Sequence, residues 1–260
     1  MKKFIKNIKK YYKYAIRQAK AELKSEVADS YLNYLWWVVE PLCFMIIYVF
    51  VFGYIFNNEQ PYFSSYVFIG LTAWEFFNRM VSGSVNLIIN NRDLISKVYL
   101  PKYILLLSKS FIYLFKLFIS LGIAFVLMIF EGVPLSWYIV FLVLVIPVLY
   151  IVSFGIGMIL MNFGVILNDL NKLTNIALKM IFYLSGVFYN IRRRLSGNLL
   201  FFLLRANPVA FCMDELRKCL LESKMPSITG LTFWLMSGLI LCLIGIKLIH
   251  NNENSYAKVI

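Results

Sequence analysis

Six runs of mostly apolar residues, at about 33–56, 62–89, 102–130, 136–165, 173–190 and 229–249, dominate the sequence. Each is close to or above the ~20 residues that a helix needs to cross the hydrocarbon core of a bilayer. In lipid every backbone N–H and C=O must find its partner inside the protein, so runs of this length without strict alternation read as helices. The composition agrees, with 61% of the 260 residues hydrophobic and 15% charged, far from the balance of a soluble domain. The expected fold class is an all-α integral membrane protein with six transmembrane helices, forming a single domain over residues 1–260.

Charge orients those helices. The connections at 57–61 and 131–135 contain Glu59 and Glu131 but no Lys or Arg, whereas 90–102 carries Arg92, Lys97 and Lys102. Cytoplasmic loops collect Lys and Arg, so the 90–101 segment faces the cytoplasm. Lys2, Lys3, Lys6, Lys9, Lys10, Lys13, Arg17, Lys20 and Lys24 crowd the start of the chain, which reads as a cytoplasmic segment set against membrane lipids and not as a nucleic-acid site. No small-residue cleavage site follows, so no signal peptide is expected. Six crossings return the C-terminus to the cytoplasmic side.

The connection at 191–226 breaks the charge rule, because Arg192, Arg193, Arg194, Arg205, Arg217, Lys218 and Lys224 fall on the outer side. It is too interrupted for two crossings and too apolar for a solvated loop, and Asn207 before Pro208 is a good helix start. Two short re-entrant outer helices are expected between spans 5 and 6, the second with Asp214, Glu215, Arg217 and Lys218 on its polar side. One more crossing in this stretch would instead put the C-terminus outside.

Before the first span, within residues 1–31, Tyr12, Ile16, Ala19, Leu23 and Val27 share one helical face while Lys13, Arg17, Lys20 and Lys24 occupy the next. That is the pattern of an N-terminal amphipathic interface helix. It would turn Glu22, Glu26 and Asp29 toward the cytosol, where a soluble partner can dock. Between spans 2 and 3, "NRDLISKVYLPKY" reads as a cytoplasmic helix of about two turns. Leu94, Ile95, Val98 and Tyr99 form its apolar surface, Arg92, Asp93 and Lys97 are solvated, and Pro101 disfavours helix at Leu100. Reversing the chain needs less than this; a rigid knob suits a grip for a cytosolic partner.

Cys43, Cys212, Cys219 and Cys242 lack metal-ligand spacing and His250 is the only histidine, so no metal site and no disulfide framework are expected. An enzyme acting on lipid-linked sugars would need an acid, base or nucleophile cluster at one membrane face. Asp214 and Glu215 are adjacent and unaccompanied by histidine, and no catalytic residue is assigned. A secondary transporter would need ion-binding groups beside interrupted helices at mid-membrane; Pro147 is the lone central breaker and should kink the fourth span. Glu75 and Arg79, four apart with the acid first, suit a helical pair. Lys109 suits snorkelling to the cytosolic surface, while Lys116 and Glu40 suit either a hydrated path or a mutual pair. Gly155, Gly157 and Gly164 permit close helix packing.

Four stretches lie in order along nearly the whole chain: "ELKSEVADSYLNYLWWVVEPL", "YVFIGLTAWEFF" with "NRDLISKVYLPKYILLLSK", "NFGVILNDLNKLTNIALKMIFYLSGVFYN" and "NPVAFCMDELRKCLLE". Together they resemble permease subunits of polysaccharide-exporting ATP-binding cassette transporters, the O-antigen, teichoic acid and capsule exporters. Two departures stand out: Gly186 where many relatives have proline, and no aromatic and Arg before Asp169. The resemblance implies a multi-pass protein of the bacterial plasma (inner) membrane with both termini cytoplasmic. It implies a second copy of this chain and two copies of a nucleotide-binding ATPase subunit carrying ATP and Mg. This chain has no glycine-rich loop ending in Gly-Lys-Ser/Thr, so it cannot hold ATP phosphates in that way; the resemblance implies a transport subunit with no cofactor of its own, the ATPase being another polypeptide.

The implied cargo is a lipid-linked polysaccharide of O-antigen, teichoic acid, capsule or rhamnan type, moved outward. Arg92, Asp93, Leu94, Ile95, Lys97, Val98 and Tyr99 would couple to the ATPase, with Glu22 and Glu26 as a second contact. A sliding glycan needs many shallow contacts, which aromatic rings supply. Tyr34, Trp36, Trp37, Tyr48 and Phe52 in the first span, with Phe182, Tyr183, Phe188 and Tyr189 in the fifth, are the candidates for its path.

Overall fold

The computed structural model describes residues 2–28, 31–56, 60–98, 100–194 and 197–252; Asp29, Glu59 and Tyr99, named above, lie outside the described residues. All described elements are helical: α1 (Lys2–Ala28), α2 (Trp36–Tyr48, continued as a π-helix over Val49–Ile55), α3 (Phe63–Val85), α4 (Leu87–Asn90), α5 (Arg92–Lys97), α6 (Lys102–Phe130), α7 (Leu142–Gly164), α8 (Leu170–Leu184), α9 (Ile191–Arg194), α10 (Gly197–Ala206), α11 (Pro208–Leu220) and α12 (Ile228–Asn251). Among the described residues, four stretches are long and apolar enough to cross a membrane: Trp36–Ile55, Lys102–Phe130, Trp137–Gly164 and Ile228–Asn251.

The runs expected as second and fifth crossings fold as α3 and α8. α3 has the length, at 23 residues, but it carries Glu75 and Arg79 and is enclosed by protein. Val67, Phe68, Ile69, Ala73 and Met80 are completely buried, and α2, α6, α7, α8 and α11 all pack against it. α8 ends at Leu184 after 15 residues, short of the expected boundary at 190. The cause is Gly186, whose φ of 67° is left-handed and cannot continue a helix. A proline ring, fixed near φ −65°, could not adopt that bend.

The start of α3 has no side-chain cap of its own. Glu131, at the end of α6, supplies one: its carboxylate oxygens accept from Ser64 N and Ser65 N, each at 3.1 Å. A carboxylate there satisfies two otherwise orphaned donors and faces the positive end of the helix. This contact draws the connections before α3 and after α6 to one end of the bundle, while α4 and α5 lie at the other.

At that second end α3 breaks at Asn86, and α4 tucks Leu87 and Ile88 into the core. α7 braces the corner from behind. A Cβ at Gly164 would lie 1.8 Å from the Val85 carbonyl oxygen, a backbone atom that cannot swing aside. Gly164→Ala should therefore destabilise the bundle by about 1–3 kcal/mol, read as a lower melting temperature of the purified chain in detergent. Earlier in α7, Gly155 packs against α12, where a Cβ would lie 3.0 Å from Cys242 N and 3.1 Å from Gly238 O.

Three expectations are revised in detail. α5 ends at Lys97 and Val98 is extended, with φ −134° and ψ 128°, so the helix is shorter than "RDLISKVYL" suggested. Of the expected apolar face of α1, Ala19 and Val27 are buried and Tyr12 and Ile16 exposed, and Ala15, outside that face, is buried as well where α1 packs against α6. On α11, Glu215 and Arg217 are buried, so its polar residues face the bundle and not solvent.

Candidate functional site

A cavity of about 240 Å³ opens between α2, α3, α6 and α8, with Glu40, Glu75, Arg79 and Lys116 on its wall beside Trp37, Tyr48, Trp74 and Phe182. Arg79 organises it. Its Nε donates to Glu75 at 2.9 Å, the helical pair that the spacing suggested, and its Nη2 reaches Glu40 at 3.9 Å. Lys116, which could have paired with Glu40, instead binds Glu26 of α1 and lies 5.7 Å from the Trp37 ring centroid.

One turn or two along α6, Lys109 pairs with Glu22. Glu22 and Glu26, expected to face the cytosol, are thus held against α6. Asn7 Nδ2 donates to the Tyr103 hydroxyl at 2.8 Å, and Ser108 Oγ approaches Gln18 Oε1 at 3.4 Å, extending the same seam. A shallower groove lined by Glu22, Glu26 and Lys109 shares Arg79, Tyr113 and Lys116 with the cavity. Ionisable groups therefore run without a break from α1 to the interior of the bundle. Partly exposed pairs of this kind each contribute under about 1 kcal/mol, so the seam is weak enough to exchange partners.

The aromatic candidates separate into groups. Phe52 and Phe188 stack with centroids 4.3 Å apart and rings 5° from parallel, and Tyr48 lies 4.6 Å from Phe188. Phe182 meets Phe188 edge-on at 5.3 Å, with Trp74 of α3 5.0 Å behind it. Trp74 is the member that sequence reasoning passed over; its position beside Glu75 was the available signal. Tyr34, Trp37 and Phe115 form a second chain, at 5.1 and 5.6 Å. Trp36 is exposed away from both groups. Tyr183 is exposed with its edge toward Phe182, and its carbonyl accepts from the Tyr189 hydroxyl at 3.1 Å.

At α5, Leu94 and Ile95 pack against the core while Arg92, Asp93, Lys97 and Val98 are exposed. The anchoring pair fixes the short helix, and the exposed four present a mixed polar and apolar tip.

The opposite end of the bundle holds a buried guanidinium. Arg217 of α11 donates through Nε to Tyr66 O at 3.1 Å, through Nη1 to the Tyr66 hydroxyl at 2.9 Å and Gly186 O at 2.8 Å, and through Nη2 to Val187 O at 2.8 Å. Its planar head lies 3.6 Å from the Tyr66 ring centroid. Asn207 caps α11 as its sequence predicts, accepting from Val209 N and Ala210 N. Asp214 takes Arg192 on both oxygens and Lys218 on one, and Glu215 takes Lys218 and the Ser227 N–H. The Asp214 contact holds the Arg192 guanidinium above its ordinary pKa. Of the cations that broke the charge rule, Arg192, Lys218 and Lys224 are held by carboxylates and Arg217 by carbonyls and the Tyr66 hydroxyl. Among the described residues, no three His, Cys, Asp or Glu side chains converge as a metal ion would require.

A helical bundle with lipid-length apolar helices and a polar, aromatic interior defines a multi-pass membrane protein. The chain belongs to the ABC-2 type transporter family, whose model matches residues 18–221, from within α1 to just past α11. It is 25% identical over 226 residues to an O-antigen export system permease protein of Myxococcus xanthus, covering 87% of each chain. It is 23% identical over 248 residues to a protein of the same description from Klebsiella pneumoniae, covering 92% of each. A polysialic acid transport protein of Escherichia coli is 24% identical over 243 residues, 90% of this chain and 91% of the relative.

Proposed function

We propose that this chain is the membrane-spanning permease subunit of an ATP-driven exporter that moves a lipid-linked polysaccharide outward across the bacterial plasma membrane. The observation that carries this reading is the extent of the likeness to O-antigen and polysialic acid export proteins, 87% to 92% of this chain, too much to rest on one shared pair of helices. In this reading α2, α3, α6, α7, α8 and α12 are six crossings, with both termini cytoplasmic and α10 and α11 re-entrant on the outer side. α3 crosses sheathed by its neighbours, which is why it tolerates Glu75 and Arg79.

Two copies of the chain pair, and two ATPase subunits holding ATP and Mg sit beneath them. α5 is the grip, through Arg92, Asp93, Lys97 and Val98, and α1 is the second contact. The stack of Tyr48, Phe52, Phe182 and Phe188 offers a glycan ring faces without fixing its register.

The test is to purify the tagged chain from its native membrane in mild detergent and identify its companions by mass spectrometry. A stoichiometric ATP-binding subunit is expected; its reproducible absence from a crosslinked, intact complex would overturn the reading. Val98→Asp combined with Arg92→Glu should then lower surface polysaccharide roughly tenfold or more, since a like-charge contact at a protein interface costs several kcal/mol. The chain should still insert and fold, because both side chains are exposed.

A further inference from the structure

The outer end of the bundle contains a second cavity, of about 400 Å³, bounded by α9, α10, α11 and the start of α12. Its volume is within the range of small-molecule sites. The floor is aromatic: Trp234 is buried, with its Nε1 donating to Leu204 O at 3.4 Å, and Phe233 is partly open with the Arg205 guanidinium 5.6 Å from its centroid. The rim is polar. Ser227 and Thr229 bring their hydroxyls within 3.3 Å of each other at the mouth of α12.

Charge argues against an anionic ligand. Arg192 on the wall is already held by both oxygens of Asp214, and the carboxylate of Glu215, itself completely buried, lies on the same wall. Lys218 neutralises that carboxylate, and Arg205, the other charge on the wall, is already placed over the Phe233 ring, so a phosphate would have to displace a protein partner to reach a guanidinium. A ligand with both hydroxyl donors and acceptors and a weakly apolar face fits all three features: ring faces below, hydroxyls at the rim, and no net charge to neutralise.

We infer that this cavity is a saccharide-binding site at the outer end of the bundle, holding one or a few residues of the glycan as it leaves. The inference rests on the proposed export of polysaccharide, and it adds a site distinct from the aromatic stack near Phe188. Phe233 is the platform, through the part of its ring that Arg205 leaves open, and Ser227 and Thr229 bind ring hydroxyls. The wall formed by Glu215 is held by Lys218 and the Ser227 N–H, at 2.6 and 2.8 Å, so the same carboxylate fixes the rim residue Ser227 in place.

The test uses the full chain in detergent and, as probe, polysaccharide released by mild acid from the surface of the cells that carry it, end-labelled for fluorescence anisotropy. Phe233→Ala, which opens the platform, and Thr229→Trp, which fills the cavity, should each weaken binding roughly tenfold or more, the scale of an aromatic contact with its rim hydrogen bonds. Melting temperature of each variant separates lost binding from lost fold, and the milder Thr229→Val should give a smaller loss of binding in a protein as stable as the wild type. Unchanged affinity in folded Phe233→Ala and Thr229→Trp would overturn the inference, as would displacement of the probe by dihexanoyl phosphatidylglycerol, which would mark a phospholipid headgroup site. Deleting the chain in cells tests the underlying reading separately. If surface polysaccharide persists, the export function fails; if it is lost and Phe233→Ala leaves probe binding intact, only the outer site fails.

Discussion

Arg217→Met is expected to leave little folded protein. The guanidinium gives its protons to three backbone carbonyls and one hydroxyl on two separate segments, the first turn of α3 and the bend at 186–187. Methionine fills similar space but donates nothing, so Gly186 O and Val187 O lose their partner inside the bundle, while Tyr66 O keeps its helical bond. Each unsatisfied buried group costs about 1–3 kcal/mol, and the total is a large share of the stability of a typical domain.

Local packing is built around this side chain. A Cβ at Gly70 would come within 2.3 Å of Arg217 Nη2, so α3 keeps a glycine where the guanidinium passes. Arg217→Lys should rescue only in part, because a single ammonium lacks the planar fork that reaches both segments at once. Tyr66→Phe, which removes one hydroxyl, should cost only about 1 kcal/mol. The measurement is size-exclusion behaviour and melting temperature in detergent for all three. An Arg217→Met protein that elutes and melts like the wild type would show that water or the membrane satisfies those carbonyls and that the residue is not a pin.

That residue also marks where reading the sequence reaches its limit. The Asn207–Pro208 helix start, the Glu75 and Arg79 pair and the helix stop before Pro101 are local signals, and the structure contains each of them; of the six apolar runs, four form helices long and apolar enough to cross a membrane among the described residues. Arg217 was countable among the cations of the outer connection, but its acceptors lie 30 and 151 positions away. Glu131 capping α3 and Glu22 meeting Lys109 span 67 and 87 positions. Periodicity specifies which face of a helix is apolar; it does not specify which polar group meets which across the bundle. On α1 the apolar pattern includes Ala19 and Val27, which are buried, but not Ala15, which is buried too where α1 packs against α6. Close packing selects a small side chain there, and a hydrophobic pattern alone does not register it.

Lys109→Glu alone should stop export, and pairing it with Glu22→Lys should restore it. The wild-type contact joins α1 to α6 in a region where the two helices run side by side, since Glu22 meets Lys109 and Glu26 meets Lys116 in the same sense along both. Reversing one charge sets two carboxylates against each other at that seam, close to the second pair at Lys116 and thus to the cavity that Lys116 shares with Arg79. The effect on stability is small, of order 1 kcal/mol for partly exposed charges, so the variant should still fold and reach the membrane. Export is the sensitive readout, because in the proposed mechanism α1 transmits the ATPase stroke only while it is clasped to α6. Surface polysaccharide in Lys109→Glu cells is expected to fall roughly tenfold, with ATP hydrolysis by the purified complex continuing, and to recover most of the way in the charge-swapped double variant, the pattern that a pairwise coupling energy produces. Normal export in the single variant would mean that the seam only positions α1. Loss of export that the swap does not repair would assign the role to Lys109 itself, at the rim of the groove, and not to its partnership with α1. Only the recovering pattern makes the two helices one lever, and it would extend the grip on the ATPase from the short helix α5 to the whole inner face of the bundle.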